Sequence, residues 1–225
     1  RLPKWKFFSR FRLRIMLQNI PKYLILFVGV LFIMIMLAMA VGMPDTLKYY
    51  QDHADDLMFA KYQYVLKSYQ DVSGEVLSTD NPDAEKFAMK SLVSKGEALD
   101  EEISAYGIED DSHYVKIADL DALEEKEVYI SGTYAEKYEL HEGDTITLDE
   151  KYEDQQYAFR VKGIYDKCQS IAIFMPIDNY RDTFDLKKEA FSGYLSDSRI
   201  TDIDQDRIAT VITKEDITKM CDQLD

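Results

Sequence analysis

The chain has 225 residues, with 42 Asp and Glu against 27 Lys and Arg, a net charge of −15 and two cysteines. Two cysteines, Cys168 and Cys221, exclude a fold held together by a disulfide framework, and sequence alone leaves open whether they pair. Tyr, Phe, Ile, Leu and Val recur in alternating patterns through the acidic part, which excludes a disordered chain despite its charge.

Residues 1–22, RLPKWKFFSRFRLRIMLQNIPK, interleave bases with Trp5, Phe7, Phe8, Phe11, Leu13, Ile15 and Leu17. Such a mixture predicts an amphipathic interfacial helix, with rings at headgroup level and bases reaching anionic lipid. Pro21 is expected to separate this helix from the apolar run after it. Residues 23–41, YLILFVGVLFIMIMLAMAV, contain no charge and, at about 1.5 Å per helical residue, are long enough to cross ~30 Å of hydrocarbon. A cleaved signal peptide has a shorter apolar core and lacks so long a basic lead. The first 44 residues hold seven bases and no acid, leaving 20 bases and all 42 acids to the remaining 181 residues, net −22. Because Lys and Arg beside a span stay in the cytoplasm, the N-terminus is expected inside and the acidic bulk outside.

Met43 and Pro44 are expected to close the span, which covers residues 23–43. DTLKYYQDHADDLMF at 45–59 has near-helical apolar spacing and predicts a stalk helix within residues 44–60. The period then changes. KYQYVL at 61–66 alternates as a strand does, 71–83 reads as a loop, and 87–93 and 103–108 are further strands. Residues 127–131 (EVYIS) predict a strand, 133–140 a short helix, 141–144 a turn, and 145–148 (TITL) a strand pairing as a hairpin with the alternating run at 157–161. A buried strand at 171–175 (IAIFM), a helix at 176–184, an edge strand at 193–196 and a strand at 207–212 complete a domain of residues 61–213. Thr213, with Asp216 three residues on, caps a last helix expected over 214–225, leading toward a further span. A first residue other than Met and a last helix without a terminator are read as signs of a fragment.

No catalytic, cofactor-binding or metal-ligating residue is nominated. There is no G-x-x-x-x-G-K-[ST] loop for nucleotide, so energy has to come from another subunit, and no G-x-S-x-G. His53, His113 and His141 have no second ligand at helical spacing. Asp202, Asp204 and Asp206 imitate the opening of a calcium loop, but Arg207 stands where glycine makes the turn and Thr213 where a bidentate Glu closes the site. They read as a solvated acidic turn, as do Asp110-Asp111 and Glu124-Glu125.

The segments EVYISGTYAEKYELHEGDTITL, YAFRVKGIYD, IAIFMPIDNYRDTF and IATVITKEDI, with the basic lead before the span, resemble FtsX-like permeases, the MacB-like class of ABC transporters, of Gram-positive bacteria. The resemblance implies an α+β outer domain, two-lobed, carried between the first and second spans of a four-helix permease unit. It also implies a cytoplasmic ABC ATPase, a second permease unit and membrane lipid as partners, and mechanotransmission to an extracellular peptide, lipoprotein or cell-wall protein. No nucleic acid, enzyme activity or cofactor is expected. The rival readings are a single-span sensor or adhesion ectodomain and, behind it, a membrane-anchored hydrolase.

Overall fold

α1, Phe7–Asp52, is a single helix of 46 residues in the computed structural model, which describes residues 7–52, 58–95, 100–151, 154–213 and 216. The breaks expected at Pro21 and Pro44 do not occur, for the helix runs through both. A proline removes one hydrogen bond without necessarily ending the helix that contains it. Segment Arg14–Met43 is long and apolar enough to cross a membrane, and every side chain from residue 20 to 43 is exposed. A helix apolar and exposed all round has the composition of a membrane span. Of the expected stalk, residues 53–57 lie outside the described set, as does the last helix apart from residue 216. The chain divides into two units, Arg1–Tyr50 and Gln51–Leu224.

In the second unit six strands close into a ring. β2 (Glu85–Ser94) pairs antiparallel with β3 (Glu101–Ile108), from Phe87↔Ile108 to Ser94↔Glu101. β3 runs parallel to β7 (Ala172–Pro176), β7 antiparallel to β4 (Glu127–Ser131), and β4 parallel to β6 (Gln156–Tyr165). β6 forms the expected hairpin with β5 (Thr145–Glu150), which returns to β2 at Leu92↔Glu150 and Val93↔Asp149. Strand alternation then sorts the side chains into two cores. Ala88, Leu92, Ile103, Ala105, Val128, Ile130, Ile146, Leu148, Phe159, Val161, Ile173 and Met175 share one cluster. Phe87, Tyr106, Ile108, Ala172 and Phe174 point the other way, into a second cluster with Val115, Leu120 and Leu123 of the long β3–β4 connection. β7 is therefore buried on both faces, which is why IAIFM reads as a continuous apolar run.

Two short helices close over the ring. α2 (Gly132–Tyr138) begins at Ser131, whose hydroxyl accepts from Tyr134 N at 3.2 Å. α3 (Ile177–Thr183) lays Tyr180 directly over Gly107, where a Cβ would stand 2.7 Å from the Cβ of Tyr180. Only a glycine leaves that room.

From β2 the sheet branches into a three-stranded wing, β8 (Gly193–Ser196), β1 (Tyr62–Leu66) and β9 (Ile208–Thr213), so the ring and the wing share β2. β8 is not the edge strand its sequence suggests: it lies between β2 and β1 with all four residues buried. The reason is Gly193, where any Cβ would collide with the carbonyl oxygen of Tyr64. Short length and a glycine look like an edge in sequence but here serve a close approach of backbones. Among the described strands β9 is the edge.

Candidate functional site

The candidate site lies within the second unit, at the two strands by which the chain enters and leaves the sheet. β1 is the first strand of the domain and β9 the last, and they are antiparallel neighbours over Tyr62↔Thr213, Gln63↔Ile212, Tyr64↔Val211 and Val65↔Thr210. Cα partners in such a ladder are about 5 Å apart, so the two attachment points lie side by side.

Two sets of contacts fasten this pair to the body, and a capping pair closes its far end. Phe59, three residues before β1, meets Tyr106 and Phe174 edge-on, with ring centroids 5.2 and 5.9 Å away, and Ala60 beside it is buried. The sequence places Phe59 at the end of the stalk helix; it lies outside α1 and belongs to the sheet's outer core. Tyr64 OH accepts from Ile200 N at 3.0 Å, and Tyr194 OH donates to Leu77 O at 2.8 Å. Burial pushes the Tyr194 hydroxyl up to about 12, which keeps it a neutral donor. At the far end, Thr213 Oγ1 accepts from Asp216 N at 3.2 Å while Asp216 Oδ2 accepts from Thr213 N at 3.2 Å, the capping pair read from the sequence.

The polar residues that stand out in the sequence sit elsewhere. Asp202 is engaged by its own fold, since its carboxylate accepts from Thr79 Oγ1 at 2.8 Å and Asp80 N at 2.6 Å. Those two bonds, the Asp80 N–H first, hold its carboxyl below the ordinary range. Asp204 and Asp206 are exposed. His113 stacks edge-on against Tyr114, His141 Nδ1 is 3.9 Å from Asp144 Oδ2, and His53 lies outside the described residues. Among the described residues no three His, Cys, Asp or Glu side chains converge as a metal site. Cys168 is buried with Sγ 3.1 Å from Ser170 Oγ, and burial raises its thiol; Cys221 lies outside the described residues. An open groove between α2 and β6 is lined by Glu136, Glu139, His141, Ile164 and Asp166.

Phe59 and Gly193 carry the junction, yet neither is visible as such from sequence. The only signal for Phe59 is an aromatic residue standing just before the strand period begins.

The family description "MacB-like periplasmic core domain" matches residues 23–214. Comparison with curated proteins finds no match. Among solved structures, the chain is similar to the extracellular domain of the noncanonic ABC-type transporter YknZ from Gram-positive bacteria, at 14% identity and a TM-score of 0.39, over 62% of this chain and 83% of that one.

Proposed function

Since this chain belongs to the MacB-like periplasmic core domain family, we propose that its outer domain relays movement of membrane helices, driven by ATP hydrolysis on a cytoplasmic subunit, to an extracellular partner. The chain is a MacB/FtsX-like ABC transporter permease fragment, and its family is one of transporter domains and not an enzyme class. Membership implies an ATPase and further permease partners. In the proposed arrangement the N-terminal arm is cytoplasmic, the acidic domain is extracellular, and a second permease unit stands beside the first. The extracellular partner is a peptide, a lipoprotein or a cell-wall protein.

What supports the relay is the pairing of Tyr62 with Thr213. A displacement entering along α1 reaches β1, and one entering from the C-terminal side reaches β9; both load the same ladder. From there β8 passes it to β2, which belongs to the ring as well. Phe59 supplies a second, shorter route into the ring through Tyr106 and Phe174.

The test uses the assembled permease with its ATPase, Cys221 replaced by Ser, and a spin label at Val72→Cys, an exposed loop tip. The label-to-label distance distribution between the two permease units is expected to shift when ATP replaces ADP. Identical distributions in both nucleotide states would contradict the relay and favour a passive sensor or adhesion domain.

A further inference from the structure

We propose that Ser192 is a positioning residue of the relay, its hydroxyl holding the wing in register with the ring at the point where β2 changes partners. The inference rests on the proposed relay and goes further by naming the side chain that joins the two parts of the sheet.

On one edge β2 is paired with β3 from Phe87↔Ile108 to Ser94↔Glu101. On the other edge β8 covers residues 85–87 and β5 covers Leu92 and Val93, so among the described strands none is paired with 88–91 there. Ser192 fills this gap at Met89. Its Oγ accepts from Met89 N at 2.8 Å and donates to Met89 O at 3.2 Å. A side chain thus makes the pair of bonds that an opposing residue makes in an antiparallel ladder.

The backbone of Ser192 is engaged as well. Its N–H donates to Phe87 O at 2.8 Å, and its carbonyl accepts from Leu66 N at 2.9 Å. One residue therefore bonds both to β1, the first strand of the domain, and to β2, the strand that ring and wing share. Beneath the seam, Tyr64 and Tyr194 of the wing pack in one cluster with Ala88 and Leu92 of β2. Burial scales with area and has no direction, so this core resists separation of wing and ring more than their sliding. Hydrogen bonds weaken steeply off axis and do resist sliding. The ladder of the wing on β2 is only Glu85↔Leu195, Lys86↔Tyr194 and Phe87↔Gly193, so the two hydroxyl bonds are a large share of that resistance.

Ser192→Ala keeps both backbone bonds, and Met89 is 36% exposed, so water can take the place of the hydroxyl and the fold survives. The test uses the assembled permease with its ATPase, Cys221 replaced by Ser, the labelled chain diluted with unlabelled chain, and ADP as the nucleotide. Spin labels are placed at Val72→Cys, beside the Asp71 that Arg207 holds near β9, and at Ala158→Cys, exposed on β6. The unaltered chain is expected to give one narrow distance distribution, Ser192→Ala a broadened one, and Ser192→Thr, which keeps the hydroxyl, a narrow one again. Amide exchange at Met89 is expected to quicken by about tenfold in the alanine variant while Ile103 and Phe159 are unchanged. An alanine variant as narrow as its parent would overturn the proposal. So would breadth that threonine does not repair, or exchange quickened equally across the core. Distances between permease units that ignore the nucleotide would remove the relay itself, whereas a narrow alanine distribution sinks this inference and leaves the relay standing.

Discussion

Lys90 and Glu150 meet on the inward face of the ring, Nζ to Oε1 2.5 Å, on the same sides of their strands as Ala88 and Leu148. Lys90 also lies over the Phe184 ring at 4.9 Å, and Tyr157 OH donates to Glu150 Oε2 at 3.1 Å. An ion pair placed among apolar neighbours pins the two-residue seam where β5 rejoins β2. Glu150→Ala strands the Lys90 ammonium beside Phe184 and is expected to cost about 1–2 kcal/mol in urea unfolding of the detergent-solubilised chain. The double variant K90M/E150L, which removes both charges, is expected to recover most of that loss. A double variant no better than the single one would mean the pair contributes attraction and not merely mutual compensation.

Phe59 packs edge-on against the stacked rings of Tyr106 and Phe174, so truncating it opens a cavity in the outer core. Phe59→Ala is expected to destabilise the outer domain by about 2–3 kcal/mol, at the low end for a phenylalanine because the ring is only half-buried. If the substitution left the unfolding midpoint unchanged, the shorter route from the incoming chain to the ring would not exist.

Ser131 is fully buried, and its hydroxyl oxygen accepts from both Tyr134 N at 3.2 Å and Ala172 N at 3.1 Å. It caps α2 and ties β7 in one atom. Ser131→Ala orphans two backbone N–H groups and is expected to cost about 2 kcal/mol, with amide exchange accelerated first at Tyr134 and Ala172.

Much of this arrangement is legible in the sequence, and the exceptions share a cause. Alternation locates β1, β5 and β6 because each has one face in the core, and Thr213 with Asp216 announces its capping pair because both partners lie within one turn. β8 looks like an edge because the strands that flank GYLS are set by Glu85 and Tyr62, more than a hundred residues away. Pro21 and Pro44 look like breaks by local rules, whereas α1 runs through both and carries no charged residue from Tyr23 to Met43. Phe59 looks like the tail of a helix because its partners, Tyr106 and Phe174, are distant in the chain. Local patterns reveal which face a residue turns inward, while long-range neighbours remain hidden.

The pH response has two opposing parts. Lys137 first, then Tyr138, holds the Glu101 carboxyl below its usual 4.5, and Lys151 does the same for Glu102 and Lys90 for Glu150. A lowered carboxyl stabilises the fold above its ordinary pKa, and that contribution is lost as pH falls through the lowered value. Glu109 is the reverse case: burial, then the charge of Glu85, raises it. Its contribution is present at low pH and is lost as pH rises through the raised value. Thermal unfolding followed from acid to neutral pH is expected to show the midpoint climbing as the lowered carboxylates ionise, then giving part of the gain back as Glu109 ionises. Asp110 is raised in the same direction, by burial and then by the charge of Asp121, so Glu109→Gln should weaken the second limb and the double variant with Asp110→Asn should abolish it, both leaving the first; a double variant that keeps both limbs would assign the decline to another group.

The relay requires α1 to lie across a bilayer with its basic arm inside and the acidic domain outside. The most direct measurement is labelling of intact cells with a membrane-impermeant maleimide, comparing Val72→Cys with Arg12→Cys in a chain whose Cys221 is replaced by Ser. Val72→Cys is expected to label at once, and Arg12→Cys only after the membrane is permeabilised. Labelling of Arg12→Cys in intact cells with Val72→Cys protected would contradict this topology, as would immediate labelling of both.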